Sequence, residues 1–182
     1  MSRVEIHGYA IVSDNDRIAD ETGRTPDVLR NDADWAYFQA ELNRSDVTVL
    51  GRLGHEANPN PRSRLRMVLS TSSRGIERRP DGWWWNPRML SWREAVRMVL
   101  PHGGRVAVPG GRRVFDLFLE IGYDAFHLTR AEGTRVDGGI ALFSECDAGS
   151  SAESVLAAAG LKPGTRQVID PAGPVSLVVW RR

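Results

Sequence analysis

Short apolar segments that end in glycine or serine, with helical patterns between them, constrain the fold of this chain most. Residues 46–51, 65–70 and 105–108 have the composition of buried strands. Strands that alternate with helices favour a largely parallel sheet covered by helices. Two later strand patterns, 167–169 and 175–180, have no helix between them, so we expect them to pair antiparallel at one edge. The sequence therefore predicts an α/β domain with a mostly parallel central sheet and an antiparallel C-terminal edge.

One predicted helix follows a long polar segment. Residues 14–30 are rich in polar and turn residues, and we expect a loop there. The asparagine–aspartate pair at 31–32 then offers an N-cap. Trp35, Phe38 and Leu42 follow at helical spacing, which predicts a helix with one apolar face.

The charge is balanced over the whole chain but uneven along it. A length of 182 residues suits one domain covering residues 1–182. The 24 basic and 23 acidic residues give a net charge of +1, which argues against a nucleic-acid coat protein. Within this balance, residues 51–110 contain eleven basic and four acidic groups. The balanced total therefore predicts no nucleic-acid partner and leaves the basic middle segment to be explained.

Cysteine, lysine and histidine usage excludes further classes. Cys146 is the only cysteine, so an internal disulfide and a thiolate metal cluster are excluded. Lys162 is the only lysine and stands beside turn residues, which disfavours Schiff-base chemistry. The four histidines lack ligand-like spacing, so we expect no metal site. Without a signal pattern or an apolar run of membrane length, we expect a cytoplasmic protein with no membrane partner.

Three strand patterns end in groups that suit phosphate. The Gly110-Gly111 pair lets the backbone approach a ligand, and the helix after it presents free N–H groups to a pyrophosphate. The arginine of Gly51-Arg52 can bind phosphate through two N–H groups, and Ser70-Thr71 offers hydroxyls. The carboxyl ends of parallel strands share one edge, so these groups should converge. The alternatives are a tight turn, a solvated arginine and a polar loop.

Asp34 is the candidate carboxylate for a ligand ring. Its place near the start of a helix has a purely structural explanation, because the helix dipole favours carboxylates there. If Asp34 faces a cleft beside Phe38, its two oxygens can hydrogen bond a planar amidine-like ring.

The order of these motifs resembles the dihydrofolate reductase family and its relative, the reductase domain of riboflavin biosynthesis. The resemblance spans most of the chain. The segments concerned are 32–38, 50–52, 69–71, 108–111, 126–129, 138–143 and 175–182. The resemblance implies a three-layer domain of the dihydrofolate reductase type, NADPH as cofactor, and hydride transfer to a small heterocycle.

The resemblance also implies roles for single residues. Asp34 and Thr129 fall at the catalytic carboxylate that binds a pterin and at the threonine that hydrogen bonds it. The positions implied for the substrate are Ala10, Trp35, Phe38 and Arg64, where the arginine would hold a glutamate carboxylate. The positions implied for the cofactor are Gly51, Arg52, Leu69, Ser70, Thr71, Gly110, Gly111, Arg112, Arg113 and Val114.

Some positions depart from the family pattern. Residues 28–31 replace the usual tryptophan and proline before the acidic helix, and residues 53–55 replace a common histidine–threonine pair. Pro109 and Phe115 stand where a branched residue and a tyrosine are common. The segment 83–85, three tryptophans, has no counterpart; it is either an edge strand that packs on the core or a partner surface.

We therefore expect an NADPH-dependent reductase of a dihydropterin, most simply of 7,8-dihydrofolate to tetrahydrofolate. One alternative is a reductase of a ribosylated pyrimidine or another small heterocycle. The other is a nucleotide-binding module without turnover. The resemblance leaves a monomer or a homodimer open, because folate reductases are commonly monomeric whereas the riboflavin-type relatives pair.

Overall fold

The computed structural model describes residues 2–182. Its strands are β1 (Val4–Val12), β2 (Arg17–Ala19), β3 (Val47–Gly51), β4 (Arg66–Leu69), β5 (Ile76–Arg79), β6 (Gly82–Trp85), β7 (Gly104–Gly110), β8 (Ala125–Ala131), β9 (Ile140–Ala141), β10 (Lys162–Pro163), β11 (Gln167–Asp170) and β12 (Val175–Arg181). Its α-helices are α1 (Asp32–Asn43), α2 (Arg52–Ala57), α3 (Trp92–Val99), α4 (Arg112–Ile121), α5 (Ser144–Asp147) and α6 (Ala152–Ala158). None of these helices has the length and apolar content needed to cross a bilayer.

The main sheet is parallel at its centre and antiparallel at its edges. Its strand order is β10–β12–β8–β1–β7–β3–β4–β6–β5, and β11 also pairs with β12. The pairings from β8 across to β6 are parallel. Strand β12 runs antiparallel to β8, β10 and β11, and β5 runs antiparallel to β6. The predicted α/β class, with its antiparallel C-terminal edge, is confirmed.

The two faces of the sheet are packed differently. Side chains alternate between the faces along β1. Ile6 and Val12 belong to a large apolar core that also includes residues of α3, α4 and α6. His7 and Tyr9 point to the other face, which α1 covers and which has a much smaller apolar cluster. The helices therefore form the outer layers of a three-layer domain, and the layer beneath α1 is polar.

Helix α1 begins where predicted, and its apolar face is only partly buried. The Asn31 side chain accepts a hydrogen bond from the Asp34 backbone N–H at 3.0 Å and caps the helix. Leu42 is buried and Phe38 is half-buried, but Trp35 is 60% exposed. The predicted apolar face is present but only partly buried, since Trp35 contacts Phe38 and leaves most of its indole exposed.

The three tryptophans of segment 83–85 pack on both faces of β6, because side chains alternate along a strand. Trp84 and Trp85 are buried, and Trp83 packs on the core. The indole N–H groups of the two buried residues donate to Asp81 and to the Leu90 carbonyl. Of the two interpretations, packing on the core describes Trp83 and Trp85, but β6 is not the edge strand, because β5 pairs along its outer side.

The predicted loop at 14–30 is wrong in part. It contains β2, which pairs antiparallel with β9, and a short 3₁₀ turn at Asp27–Leu29. A strand of three residues is too short to show a hydrophobic period, so its pairing depends on the distant partner strand.

Candidate functional site

The central sheet splits at the carboxyl ends of β1 and β7. These strands pair in parallel as far as Gly8 and Val108. Beyond that point β1 continues with β8, whereas β7 continues with β3, where Gly110 pairs with Leu50. Ala10 lies two residues past the last β1–β7 pair. Such a split opens a crevice at the carboxyl edge of the strands, where parallel α/β sheets bind ligands.

Three predicted cofactor residues end neighbouring strands on one side of this crevice. Gly51 is paired with Leu69, and Gly110 is paired with the residue before Gly51. Gly51 also lies against the start of α4, since a methyl group on it would be 3.7 Å from Val114. The structure therefore brings Gly51, Leu69, Gly110 and Val114 together.

The two adjacent glycines have different surroundings. Gly110 has φ of +113°, and a Cβ atom there would lie 2.7 Å from the Phe115 ring, so only glycine fits. Gly111 is exposed, and a Cβ atom there would meet nothing within 4 Å. The peptide bond between them is cis. Gly111 is the N-cap of α4 and has no side chain, so the first N–H groups of the helix face an accessible backbone surface.

Two of the predicted phosphate-binding arginines are held by carboxylates. Arg52 Nη1 donates to Glu56 at 3.1 Å along α2. Arg112 Nη1 donates to Asp147 at 2.7 Å, and the other oxygen of Asp147 accepts from Arg17 of β2. Partly exposed ion pairs of this kind are worth about 0–1 kcal/mol. A phosphate group of higher charge can therefore replace either carboxylate at little cost.

The remaining predicted cofactor residues lie at the rim of the crevice. The Ser70 hydroxyl is 2.8 Å from the Ser72 hydroxyl and accepts the Ser72 N–H at 3.1 Å. Thr71 and Arg113 are exposed. The Ser70 hydroxyl is therefore engaged within its own turn, while the Thr71 hydroxyl and the Arg113 guanidinium face solvent.

Asp34 and Thr129 connect α1 to β8. Thr129 is buried at 2% exposure, and its side chain hydrogen bonds the Asp34 carboxyl. Burial raises the pKa of Asp34 above its ordinary value, and the hydrogen bond from Thr129 opposes only part of that rise. The structure thus brings together a carboxyl group and a hydroxyl group in a setting that favours an exchangeable proton.

Aromatic rings lie beside Asp34 along α1. Phe38, one turn further on, packs against Tyr9 with ring centres 5.9 Å apart. Trp35 meets Phe38 edge-on at 6.0 Å and leaves most of its indole exposed. These two rings form an apolar surface next to a carboxyl group, which suits a planar heterocycle that has N–H groups.

Arg64 joins the segment before β4 to α1. Its Nη2 donates to Gln39 Oε1 at 3.0 Å and to Asn43 Oδ1 at 2.7 Å. These two residues follow Asp34 on the same helix. Within the described chain the Arg64 Nε atom is buried and has no hydrogen-bond partner. The guanidinium is therefore fixed in place by neutral groups and retains its charge.

Beneath α1 lies a buried polar cluster that the sequence patterns did not reveal. His7 Nδ1 is 3.0 Å from His127 Nε2, and the Tyr37 hydroxyl is 2.5 Å from His127 Nδ1. The Tyr9 hydroxyl donates to Glu41 Oε2 at 3.0 Å. The two histidines are 120 residues apart and meet only because β1 and β8 pair. The spacing of the histidines along the chain therefore does not predict this contact.

Three side chains of this cluster have the atom types that bind metal ions, although the spacing of the histidines along the chain predicts no metal site. His7, His127 and Glu41 place potential ligand atoms within 4.8 Å of one another. Glu41 is also bound by Arg44 at 3.0 Å and by Arg105 at 3.3 Å, and these cations oppose a metal ion beside it. Burial, the nearby His7, Arg181 and Arg105 lower the pKa of His127 to about 3. The arrangement is therefore a hydrogen-bonded pair of neutral histidines beside a carboxylate that is already bound by two arginines.

Comparison with known proteins establishes the fold. No protein-family model matches the sequence, and no curated protein matches it. Solved structures do match, and they share the dihydrofolate reductase fold, so the resemblance inferred from the sequence is confirmed at the level of the fold.

Three of these structures describe the range of relatives. Dihydrofolate reductase from Enterococcus faecalis, complexed with NADP(H) and RAB-propyl, has a TM-score of 0.69 at 16% identity, covering 100% of this chain and 98% of that one. A protein from Shewanella sp. PV-4 assigned to riboflavin biosynthesis has a TM-score of 0.67 at 20% identity, covering 98% and 99%. A diaminohydroxyphosphoribosylaminopyrimidine deaminase/5-amino-6-(5-phosphoribosylamino)uracil reductase from Thermotoga maritima has a TM-score of 0.67 at 16% identity, covering 98% of this chain and 56% of that one.

Proposed function

We propose that the protein is an NADPH-dependent reductase that transfers hydride to a small heterocycle bound beside Asp34. The observation that supports this most is the hydrogen-bonded pair of Asp34 and Thr129, at the carboxyl edge of a sheet that splits between β1 and β7. A protein that only bound a nucleotide would have no need of a half-buried carboxyl group there. The matched structures from the folate and riboflavin pathways support the same class of reaction.

The residues on the glycine side of the crevice suit NADPH. The accessible backbone at Gly111 and the start of α4 can hold a pyrophosphate. Arg52, with Ser70 and Thr71 at the end of the adjacent strand, would bind the adenosine 2′-phosphate. Arg112 and Arg113 would add positive charge near the pyrophosphate. The chemistry that NADPH supplies when bound is hydride donation from its dihydronicotinamide ring.

Asp34 would orient the substrate ring and promote its protonation. An ionised carboxylate accepts two N–H donors from an amidine-like edge and raises the basicity of the ring nitrogen that gains a proton. Thr129 would keep the carboxylate in position. Trp35, Phe38 and the backbone at Ala10 would enclose the ring, which lowers the entropic cost of bringing the reacting atoms together. The proton would come from water.

Within this class we propose 7,8-dihydrofolate as the first substrate. Arg64 is on the same side as α1, held by Gln39 and Asn43, where its charge would bind a carboxylate at the far end of an extended substrate. A ribosylated pyrimidine is the second candidate. It is supported by the matched structures from riboflavin biosynthesis, and it would place a phosphate at Arg64 in place of a carboxylate.

The decisive experiment measures NADPH absorbance after dihydrofolate is added to the protein. Depletion of NADPH that requires both protein and dihydrofolate is the expected result. If NADPH stabilises the protein against heat but is not consumed, dihydrofolate is wrong, and the ribosylated pyrimidine is then assayed in the same way. If neither substrate is reduced while NADPH still binds, the protein is a nucleotide-binding module.

A further inference from the structure

A bridge of three side chains joins the turn after β1 to the start of α4. Asp147, the last residue of α5, accepts a hydrogen bond from Arg17 on one carboxyl oxygen and from Arg112 on the other. Arg112 is the first residue of α4, and Arg17 is the first residue of β2. The two guanidinium groups are therefore separated by the width of one carboxylate group.

The backbone of Arg17 is fixed at the carboxyl edge of β1. The Arg17 backbone N–H donates to Ser13 Oγ at 3.1 Å, and the Ser13 backbone N–H donates to the Arg17 carbonyl at 3.1 Å. Ser13 directly follows the last residue of β1, and Arg17 pairs with Ala141 of β9. The base of the Arg17 side chain is therefore held in place, whereas its long side chain can turn from one anionic partner to another.

Helix α5 is attached to the first turns of α4. The Ser144 backbone N–H donates to Asp116 Oδ1 at 3.0 Å, and the Ser144 hydroxyl donates to the other oxygen of the same carboxylate. Asp116 and Arg112 are four residues apart on α4, so they lie on one face of that helix. Asp147, three residues after Ser144, is therefore held alongside the start of α4.

The bridge has an excess of one positive charge. Among the described residues, Asp147 is the only carboxylate hydrogen bonded to the side chain of Arg17 or of Arg112. The hydrogen bond from Arg17 and the charges of both arginines hold the pKa of Asp147 below its ordinary value, so the carboxylate is ionised. Asp147 is also exposed, so its charge can turn into solvent without being buried.

Resting on the proposed function, in which the cofactor pyrophosphate lies at Gly111 and the start of α4, we propose that Arg17 is a further contact for this pyrophosphate and that Asp147 competes with it for Arg17 and Arg112. A pyrophosphate diester has two negative charges and matches two arginines, whereas Asp147 supplies one charge. A carboxylate that stays beside the arginines also repels the pyrophosphate. Asp147 therefore lowers the affinity for the cofactor.

Calorimetric titration of the whole protein with ADP-ribose tests this competition. ADP-ribose has the pyrophosphate but neither the nicotinamide nor the 2′-phosphate, so its binding does not depend on reductase activity. We expect Asp147→Asn to bind ADP-ribose about three- to tenfold more tightly, because a competing surface charge is removed. Arg17→Gln should bind it about tenfold more weakly, because a hydrogen bond to a charged group is lost. The gain from Asp147→Asn should be smaller in the double variant, because only Arg112 is then released.

Two control variants and one control ligand separate this effect from general changes in charge. Glu145→Gln removes a negative charge from an exposed position on α5, and Arg93→Gln removes a positive charge from an exposed position on α3. Both should leave ADP-ribose binding unchanged. Adenosine 2′-monophosphate has no pyrophosphate, so Asp147→Asn should leave its binding unchanged. Circular dichroism verifies the fold of each variant.

Unchanged or weaker binding of ADP-ribose to Asp147→Asn overturns the competition, and unchanged binding to Arg17→Gln overturns the contact. Equal tightening by Glu145→Gln, or of adenosine 2′-monophosphate by Asp147→Asn, also overturns the proposal, because it indicates a general charge effect. The same holds if ADP-ribose binds neither the parent protein nor Asp147→Asn. Failure of the proposed function gives a different result: ADP-ribose binding responds to the variants as expected, but NADPH is not consumed with either substrate.

Discussion

His7 Nδ1 and His127 Nε2 lie 3.0 Å apart in the buried layer beneath α1, so at least one of the two rings must be neutral. Burial lowers the pKa of both rings below 6.5, and that of His127 to about 3. In the unfolded chain each histidine would gain its proton near pH 6.5. At pH values where the unfolded chain binds protons and the folded cluster does not, the free energy of unfolding is therefore reduced.

We expect the free energy of unfolding to fall as the pH decreases from about 6.5 towards 3. The sign follows from a folded-state pKa that is lower than the unfolded one: the stability is fully present above pH 6.5 and is lost below it. The loss should reach on the order of 2–4 kcal/mol for His127. Urea unfolding at a series of pH values measures it, and His127→Gln should flatten the slope in this range.

His102→Gln is the matched control for this pH effect, because His102 is exposed. It should leave the slope as in the parent protein. If His127→Gln and His102→Gln give the same slope, the buried pair does not control acid stability.

Asp34→Asn should lower turnover with dihydrofolate by about 10²–10⁴-fold while the fold is retained. The amide keeps the hydrogen bond with Thr129 but cannot be ionised. Steady-state kinetics give the loss, and circular dichroism verifies the fold. Asp32→Asn, an exposed change in the same helical turn, should leave turnover unaffected. Full turnover of Asp34→Asn would exclude this carboxyl group from the mechanism.

Arg52→Ala should weaken NADPH binding by about 10-fold or more and leave NADH binding nearly unchanged, because only NADPH has the 2′-phosphate. Fluorescence titration with both cofactors measures the ratio. Arg93→Ala serves as the control for loss of one surface charge. An equal loss for both cofactors would mean that Arg52 does not contact the 2′-phosphate.

Alanine at position 110 should reduce stability, whereas alanine at position 111 should weaken cofactor binding. In Gly110→Ala the new methyl group would meet the Phe115 ring at 2.7 Å with φ at +113°, so we expect destabilisation of about 1–3 kcal/mol or more. In Gly111→Ala the methyl group meets open space, so stability should change little while NADPH binding weakens. Thermal unfolding with and without NADPH distinguishes the two effects. Similar stability losses in both variants would contradict this assignment.

Sequence patterns predicted the central strands, and the family resemblance implied the pairing of Asp34 with Thr129, but neither predicted the short strands β2 and β5 or the polar cluster beneath α1. Strand ends at Gly51 and Gly110 are local signals, and the family resemblance supplied their relative placement. The contact of His7 with His127 depends on the register that sets Tyr9 opposite His127 across β1 and β8. Register is a property of the assembled sheet, and no local pattern encodes it.

The same limit applies to the cavity of about 510 Å³ that is lined by Arg64, Arg66 and Arg78. Each arginine alone is an ordinary surface residue in a chain rich in arginine, and the +7 excess of residues 51–110 does not say which charges meet. Their convergence needs the β5–β6 hairpin, which carries Arg78 back to the start of β4. The hairpin is polar along β5, so its hydrophobic pattern is too weak to predict it.

The position of β1 also bears on how the chain folds during synthesis. Its two neighbours, β7 and β8, lie within residues 104–131. Strand β1 therefore has no partner strand until most of the chain has left the ribosome. Pairings of such large sequence separation form slowly, because a long loop must close before any contact is gained. Nascent chains cut off before residue 104 should therefore leave β1 unpaired and open to proteases, and protection of β1 should appear once β7 and β8 are released.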